Sequence, residues 1–504
     1  MRRLYTLLIR CAAPFAFATV LWRGLRDRGY WQGLGERFGW GGAAASKGSI
    51  GSMDSTDSTG TIWLHAVSLG EMSAAAPLVR ALRSRYPKIP MTVTTATPTG
   101  RARARTLFGD TVSVRFLPYD TPGAVKRFLA RVRPRLAIIV ETELWPNLFG
   151  ACERMGVPLV LASARLSAKS VSRYRRMGRL FPDIFSASSL VAAQTREDAE
   201  RFIAIGAQSA RTRVVGNIKF DIEIGAGVWE RGRALRVAFG SERPTWIAGS
   251  THAGEEEQVL AAHVLLQADV PNALLLLVPR HPDRFAAVAE LLQRRGLKFA
   301  RRSSGIADSA DGDAACGGSG GTSGGTSGGA SGGASGAQAI IGADIQVVLV
   351  DTVGELATMY AAADVAFVGG SLVPVGGHNL LEPAALGLAL LTGPYTSNGR
   401  DVARLMLSQG AAVQVADAAA LAAALRALFA DGERRQRMGA IARHIVESNR
   451  GSVARLISLI APLLSGEPSP PAGSLPPGEP PPPVGPLPPG EPPPPEPVPS
   501  AARH

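Results

Sequence analysis

The stretch WLHAVSLGE, residues 63–71, decides the fold. Trp63 to Val67 read as the end of a buried strand. Ser68, Leu69 and Gly70 make a sharp turn, and Glu71 opens a helix that continues MSAAAPLVRALRSRY. Strand, tight turn and helix in that order make one unit of a parallel, doubly wound sheet. The helix N-terminus favours a carboxylate, so Glu71 should stay ionised. It also stands at the carboxyl end of a strand, where open α/β sheets bind ligands.

Working outward, short apolar runs recur at Met91–Thr95, Val112–Leu117, Leu136–Val140, Leu159–Ala162, Leu190–Ala193 and Arg213–Val215, with helical patterns such as Ala124–Val132 and Arg196–Ile205 between them. The alternation restarts at Thr245 with TWIAGS, ALLLLVP, IQVVLVD, DVAFVGG and LALLTG, and helices are expected at Glu255–Leu266, Arg284–Arg295 and Leu380–Leu386. The expectation is an α/β chain of two Rossmann-like, doubly wound domains facing a cleft, 61–225 and 226–465.

The flanks differ. Leu4 to Trp22 is apolar apart from Arg10 and Pro14. That is close to the about 20 residues a membrane-crossing helix needs. No clean cleavage site follows, so 1–24 is expected to be a retained membrane anchor with the body on the basic, cytoplasmic side. Residues 25–60 join it to the body and end in a small, polar linker. The Gly/Ser/Thr repeat at 317–336 and the Pro-rich tail at 466–504 cannot bury a core and are expected to be disordered.

The chain has 504 residues, a formal charge of +13 and a hydrophobic share of 46%. Its basic balance points to an anionic partner. No zinc finger, basic zipper or RNA-binding signature is present, so nucleic acid is not the expected partner. Cys11, Cys152 and Cys316 form no paired motif, which fits a reducing compartment.

Candidate site residues gather at strand ends. Glu71 is either a helix-opening glutamate or a general base placed where substrate sits. ETELWPN, 141–147, repeats the design: Glu141 ends a buried strand, Glu143 follows, and Pro146 suits a helix start. Arg165, Lys169, Arg173, Arg175, Arg176 and Arg179 form either a solvated basic face or a surface for anionic lipid. Lys219, in GNIKFD, closes the first domain. In the second, Arg280 and His281 follow a buried strand, and arginine clamps phosphate. Gly354 sits in the turn of DTVGEL. GGSLVPVGGHNLLEPAALG, 369–387, is a Gly-rich loop whose helix start near Asn379 suits a phosphate, with Glu382 placed for a ribose diol. His252 with Glu255, Glu256 and Glu257 lacks HExxH spacing, so no metal site is expected.

Taken together, HAVSLGE, TVTTATPTGRARA, LPYD, ETELWPN, ASARLSAKS, GNIKFD, GSTHAGEEE, LVPRHPDRF, FVGGSLVPVGGHNLLEPAALG and GPYTSN closely resemble the Kdo transferases. These are GT-B glycosyltransferases that attach 3-deoxy-D-manno-octulosonic acid to lipid A precursors in Gram-negative bacteria. The likeness runs from the N-terminal anchor to about Leu464. It implies CMP-Kdo as donor substrate, lipid IVA as acceptor, no cofactor or metal, and work at the inner membrane surface. Through it Glu71 corresponds to the general base, and Glu141 and Lys219 to residues that stabilise the transition state. Pro279 and Arg280, Val353 to Glu355, and Asn379, Leu380, Leu381 and Glu382 correspond to the CMP-binding segments. The rival readings are a GT-B enzyme using another nucleotide sugar, which competition by CMP against UDP distinguishes, and a non-catalytic membrane-associated binding protein, in which Glu71 is dispensable.

Overall fold

A computed structural model describes residues 2–41, 60–187, 190–304 and 341–465. The Gly-rich repeat, the Pro-rich tail and most of the linker lie outside these. The chain divides into two compact units: one runs to Asn217 and resumes at Gly451, and the other is Ile218–Arg450.

The first unit holds strands β1 (Thr61–His65), β2 (Met91–Thr95), β3 (Ser113–Phe116), β4 (Pro134–Val140), β5 (Leu159–Ala164), β6 (Leu190–Ala193) and β7 (Thr212–Val214). They form one sheet ordered β3-β2-β1-β4-β5-β6-β7, with every pairing parallel. The strands are apolar end to end because helices cover both faces. Trp63, Ile138, Ile139 and Leu161 are fully buried. The helices used below are α1 (Arg2–Arg26), α2 (Leu69–Arg85), α3 (Pro98–Phe108), α4 (Pro122–Val132) and α5 (Pro146–Arg154).

The second unit repeats the plan with β8 (Thr245–Thr251), β9 (Leu274–Pro279), β10 (Phe299–Arg301), β11 (Val347–Leu349), β12 (Val365–Val368), β13 (Ala389–Thr392) and β14 (Ala412–Gln414), ordered β10-β11-β9-β8-β12-β13-β14. The 317–336 repeat falls in the connection from β10 to β11.

In each sheet the strands wind outward from one junction, β1 with β4 in the first and β8 with β12 in the second, where β11 inserts between β9 and β10. The crevice at such a switch point is the ligand site of an open α/β sheet. The loop after β1 carries Glu71 and the loop after β4 carries Glu141. The loop after β8 carries His252 and the loop after β12 carries the Gly-rich segment.

Two expectations need correcting. The second unit begins at Ile218, before the expected 226. The helix Ser452–Ser465, expected to close it, lies instead in the first unit. There it packs on α2 and β4. Val453, Leu456, Ile460 and Leu464 form its buried stripe. Arg455 donates to Val215 O at 2.9 Å, and Arg135 donates to Leu464 O at 2.6 Å. The helix stripe shows that a helix is buried, but not against which sheet.

Among the described residues α1 is the one helix long and apolar enough, by length and composition, to cross a membrane.

Candidate active site

In the first unit three carboxylates meet at the switch point. Ser68 caps α2: its hydroxyl accepts from Glu71 N–H at 3.3 Å. The Glu71 carboxylate answers by accepting from Val67 N–H at 2.9 Å and from the Ser68 hydroxyl at 3.2 Å. This is close to a capping box, so the helix-opening role is real. It also locks the carboxylate at the carboxyl end of β1, half-exposed.

Glu141 sits at the end of β4 with φ of 59°. That left-handed conformation costs a non-glycine residue roughly 1–2 kcal/mol. Its N–H is held by Ala162 O at 2.9 Å, and Ser163, at the end of neighbouring β5, is left-handed too with φ of 53°. Strain of this kind concentrates where function fixes a side chain.

Glu143 joins them. Burial first, then the charges of Glu71 and Glu141, push its carboxyl up to about 7. Glu143 was visible in ETELWPN, yet only the fold shows that it feels both neighbours. A folded-state pKa raised above the ordinary 4.5 means that Glu143 stabilises fully below about pH 4.5, and that this stability is lost as pH rises through about 7. Glu143→Gln should therefore be more stable than the native chain at pH 8, by about 1–3 kcal/mol, and gain nothing at pH 4.5. Thermal unfolding at the two pH values checks this; parallel pH responses would clear Glu143 of the buried charge.

Lys219 is half-buried on the 3-10 turn Ile218–Phe220, between buried Ile218 and Phe220, in the second unit. It is thus not gathered with Glu71 and Glu141 in one body.

In the second unit the switch point is organised by Glu255. Its carboxylate is fully buried and accepts from Gly370 N–H at 2.6 Å, Ser371 N–H at 3.0 Å and Leu372 N–H at 2.9 Å. It thereby shapes the Gly-rich loop. Gly370 is left-handed, and a Cβ there would press on His378. Glu256 instead takes Arg284 through two contacts of 3.2 Å. The acidic run at 255–257 thus serves the loop and an arginine.

Above the loop lie three imidazoles. His252 Nε2 and His378 Nε2 are 2.7 Å apart with the rings stacked, and His281 stands edge-on to His252. Burial first, then the neighbouring His252, Arg280 and His281, push His378 down to about 4. His252 is lowered by burial, His281, Arg280 and Arg284. Both are neutral at pH 7, and one hydrogen bond links them. Arg280 is exposed at the end of β9, after Pro279, with its N–H on Thr251 O at 2.9 Å.

Val353 is 78% exposed. Gly354 has φ of 94°, as the expected turn requires. Burial opposes ionisation of Glu355, but the Arg302 and Thr352 hydrogen bonds and the Arg302 charge outweigh it and hold its carboxyl below the usual value. The Arg302 contact is 2.8 Å. Asn379 Oδ1 accepts from Leu381 N–H at 3.1 Å, and Asn379 Nδ2 donates to Glu382 at 3.4 Å. Leu380 is buried beside them. The helix that follows is only Leu381–Ala385. Its dipole is short and a first N–H is already used, which corrects the expectation of a helix-terminal phosphate seat.

Comparison with known proteins gives a consistent picture. Residues 32–222 match the family model described as 3-deoxy-D-manno-octulosonic-acid transferase (kdotransferase), and residues 337–445 match glycosyl transferases group 1. The chain is 39% identical over 404 residues to the 3-deoxy-D-manno-octulosonic acid transferase of Haemophilus influenzae, covering 80% of this chain and 87% of that protein. It is 37% identical over 468 residues to the one from Bordetella pertussis, covering 91% and 98%. A solved structure, the C-terminal CMP-Kdo binding domain of WaaA from Acinetobacter baumannii, is 30% identical and covers 44% of this chain and 98% of that one, with a TM-score of 0.36.

Proposed function

This chain belongs to the 3-deoxy-D-manno-octulosonic acid transferases, and from that premise we propose that it moves Kdo from CMP-Kdo onto lipid IVA, a lipid A precursor, at the cytoplasmic face of the inner membrane. The observation that carries the reading is the meeting of Glu71, Glu141 and Glu143 at the switch point of the first sheet.

In this reading Glu71 takes the proton from an acceptor hydroxyl as its oxygen attacks the anomeric carbon of Kdo. The bond from that carbon to the CMP phosphate oxygen breaks, CMP leaves from the opposite face, and the centre inverts. Glu141 and Lys219 steady the charge that develops. CMP leaves as a monoester with no pyrophosphate to neutralise, so arginine and backbone N–H groups suffice without a divalent metal. Arg280, the loop at 369–378 and the turn Val353–Glu355 form the CMP seat, with Glu382 at the ribose and exposed Val353 against the base.

Incubation with CMP-Kdo and lipid IVA, with products read by mass, tests the reading. A Kdo-bearing lipid sustains it. No product, or competition by UDP in place of CMP, overturns it.

Arg280→Ala separates donor from acceptor. A charge-assisted arginine–phosphate contact is worth roughly 1.5–3 kcal/mol. CMP should therefore bind about tenfold to hundredfold more weakly, while lipid IVA binding holds. Normal CMP binding with loss of the lipid would assign Arg280 to the acceptor.

A further inference from the structure

Helix α1 is tied to the first unit by half-buried polar contacts. The Tyr5 hydroxyl donates to Asp120 Oδ2 at 2.9 Å, and the Thr6 hydroxyl donates to Asn147 Oδ1 at 2.8 Å. Asp120, itself buried, also accepts from the N–H groups of Asn147 at 3.0 Å and Leu148 at 2.8 Å, capping α5 from a distance. Further along α1, Phe17 meets Phe38 edge-on at 5.1 Å, and Trp31 covers Gly24. The opposite face is bare: Leu4, Leu8, Phe15, Trp22 and Leu25 are all exposed, Phe15 to 76%. Their spacing of three, four or seven residues puts them on one stripe.

Between α1 and α5 lies a pocket of about 890 Å³ lined by Arg2, Arg3, Arg10, Lys126 and Arg154, with Leu7 at its apolar side and no carboxylate among its lining residues. Gly150 lies under Arg2; a Cβ there would collide with the guanidinium. Five cations around one cavity repel one another unless an anion joins them. The pocket follows α5 from Asn147 to Arg154 and Met155. It therefore leads away from the carboxyl edge of the sheet, where Glu71 and Glu141 stand.

We propose that this pocket holds the phosphate of an anionic phospholipid headgroup while its acyl chains lie along the bare stripe of α1, so that α1 rests in the plane of the membrane interface and does not cross it. The proposal rests on the reading that the protein works at a membrane. Crossing would carry Tyr5 and Thr6 away from Asp120 and Asn147 and break both hydrogen bonds, leaving the Asn147 carbonyl oxygen without its Thr6 donor. It would also place Arg10 near the middle of the hydrocarbon, whereas an in-plane helix keeps basic groups at the headgroups and apolar ones below.

The test uses the full chain and vesicles of phosphatidylglycerol in phosphatidylcholine. Lys126→Ala with Arg154→Ala removes two pocket cations from the body and leaves α1 intact. Binding to these vesicles should fall about thirtyfold, roughly fivefold for each cation removed. Arg434→Ala with Arg437→Ala, which removes two exposed cations of the second unit, should leave it unchanged. Equal losses for the two pairs would reduce the effect to bulk charge and overturn the pocket. A raised KM for lipid IVA with vesicle binding unchanged would hand the pocket to the acceptor and also overturn it. In sealed vesicles, single cysteines at Arg3 and Arg28 in a chain otherwise free of cysteine should be labelled from the same side; labelling from opposite sides would establish a crossing helix. These readouts are independent of turnover, so a chain that fails to make Kdo-lipid would sink the proposed function and leave the lipid pocket standing or falling by itself.

Discussion

Glu71→Gln should leave a folded protein that binds CMP and transfers about 10²–10⁴-fold less Kdo, the usual loss when a positioned general base is removed. The fold should survive because the amide oxygen of glutamine still accepts from Val67 N–H, as the carboxylate does at 2.9 Å. The change in stability should stay within the about 1 kcal/mol of a weakened cap. This pairing of outcomes separates the two roles that the residue plays. If Glu71 only opens α2, turnover should track stability and barely move. Near-native turnover in a well-folded variant would remove Glu71 from the mechanism. Glu141 and Glu143 would then be the remaining carboxylates at that switch point.

Glu255→Ala should cost more than any loop substitution in the second unit. It strands the N–H groups of Gly370, Ser371 and Leu372, which now donate at 2.6, 3.0 and 2.9 Å, in a site with no exposure at Glu255. A buried donor left unpaired costs about 1–3 kcal/mol, so three of them sum to at least about 3 kcal/mol. The loop that carries His378 and Asn379 loses its shape, and CMP binding should fall below detection. Glu255→Gln should land between, since its oxygen accepts while its NH2 group faces donors. Calorimetric titration with CMP and thermal unfolding read both effects. Native CMP affinity in a destabilised Glu255→Ala chain would show that the loop is not part of the donor seat.

The centres of both sheets were legible because a parallel strand covered on both faces is an unbroken apolar run, as in Leu274–Pro279 and Pro134–Val140. Edge strands β10 and β14, three residues each, offered no such run. Glu141 and Arg280 could be picked out because each follows a strand directly, and Glu71 because it opens the helix after one. Glu255 and Asp120 could not. Each is a buried carboxylate that serves N–H groups 115 and 27 residues away, and a hydrogen bond over such a separation leaves no period in the sequence. The same holds for Glu143, whose raised proton affinity depends on a neighbour 72 positions earlier in the chain, Glu71 (143 − 71). The left-handed backbone at Glu141 was hidden as well, because glutamate gives no hint of it.

The helix Ser452–Ser465 has a consequence for how the chain is made. Its stripe of Val453, Leu456, Ile460 and Leu464 covers α2 and β4, which were synthesised more than 300 residues before. On the ribosome the second unit is therefore complete while the first still shows an open apolar face, the kind of surface that nascent-chain chaperones grip. A chain halted after Arg450 would carry a finished second unit and a first unit without its closing helix. Quality control would thus read the integrity of the first unit from a helix that emerges after the whole second unit.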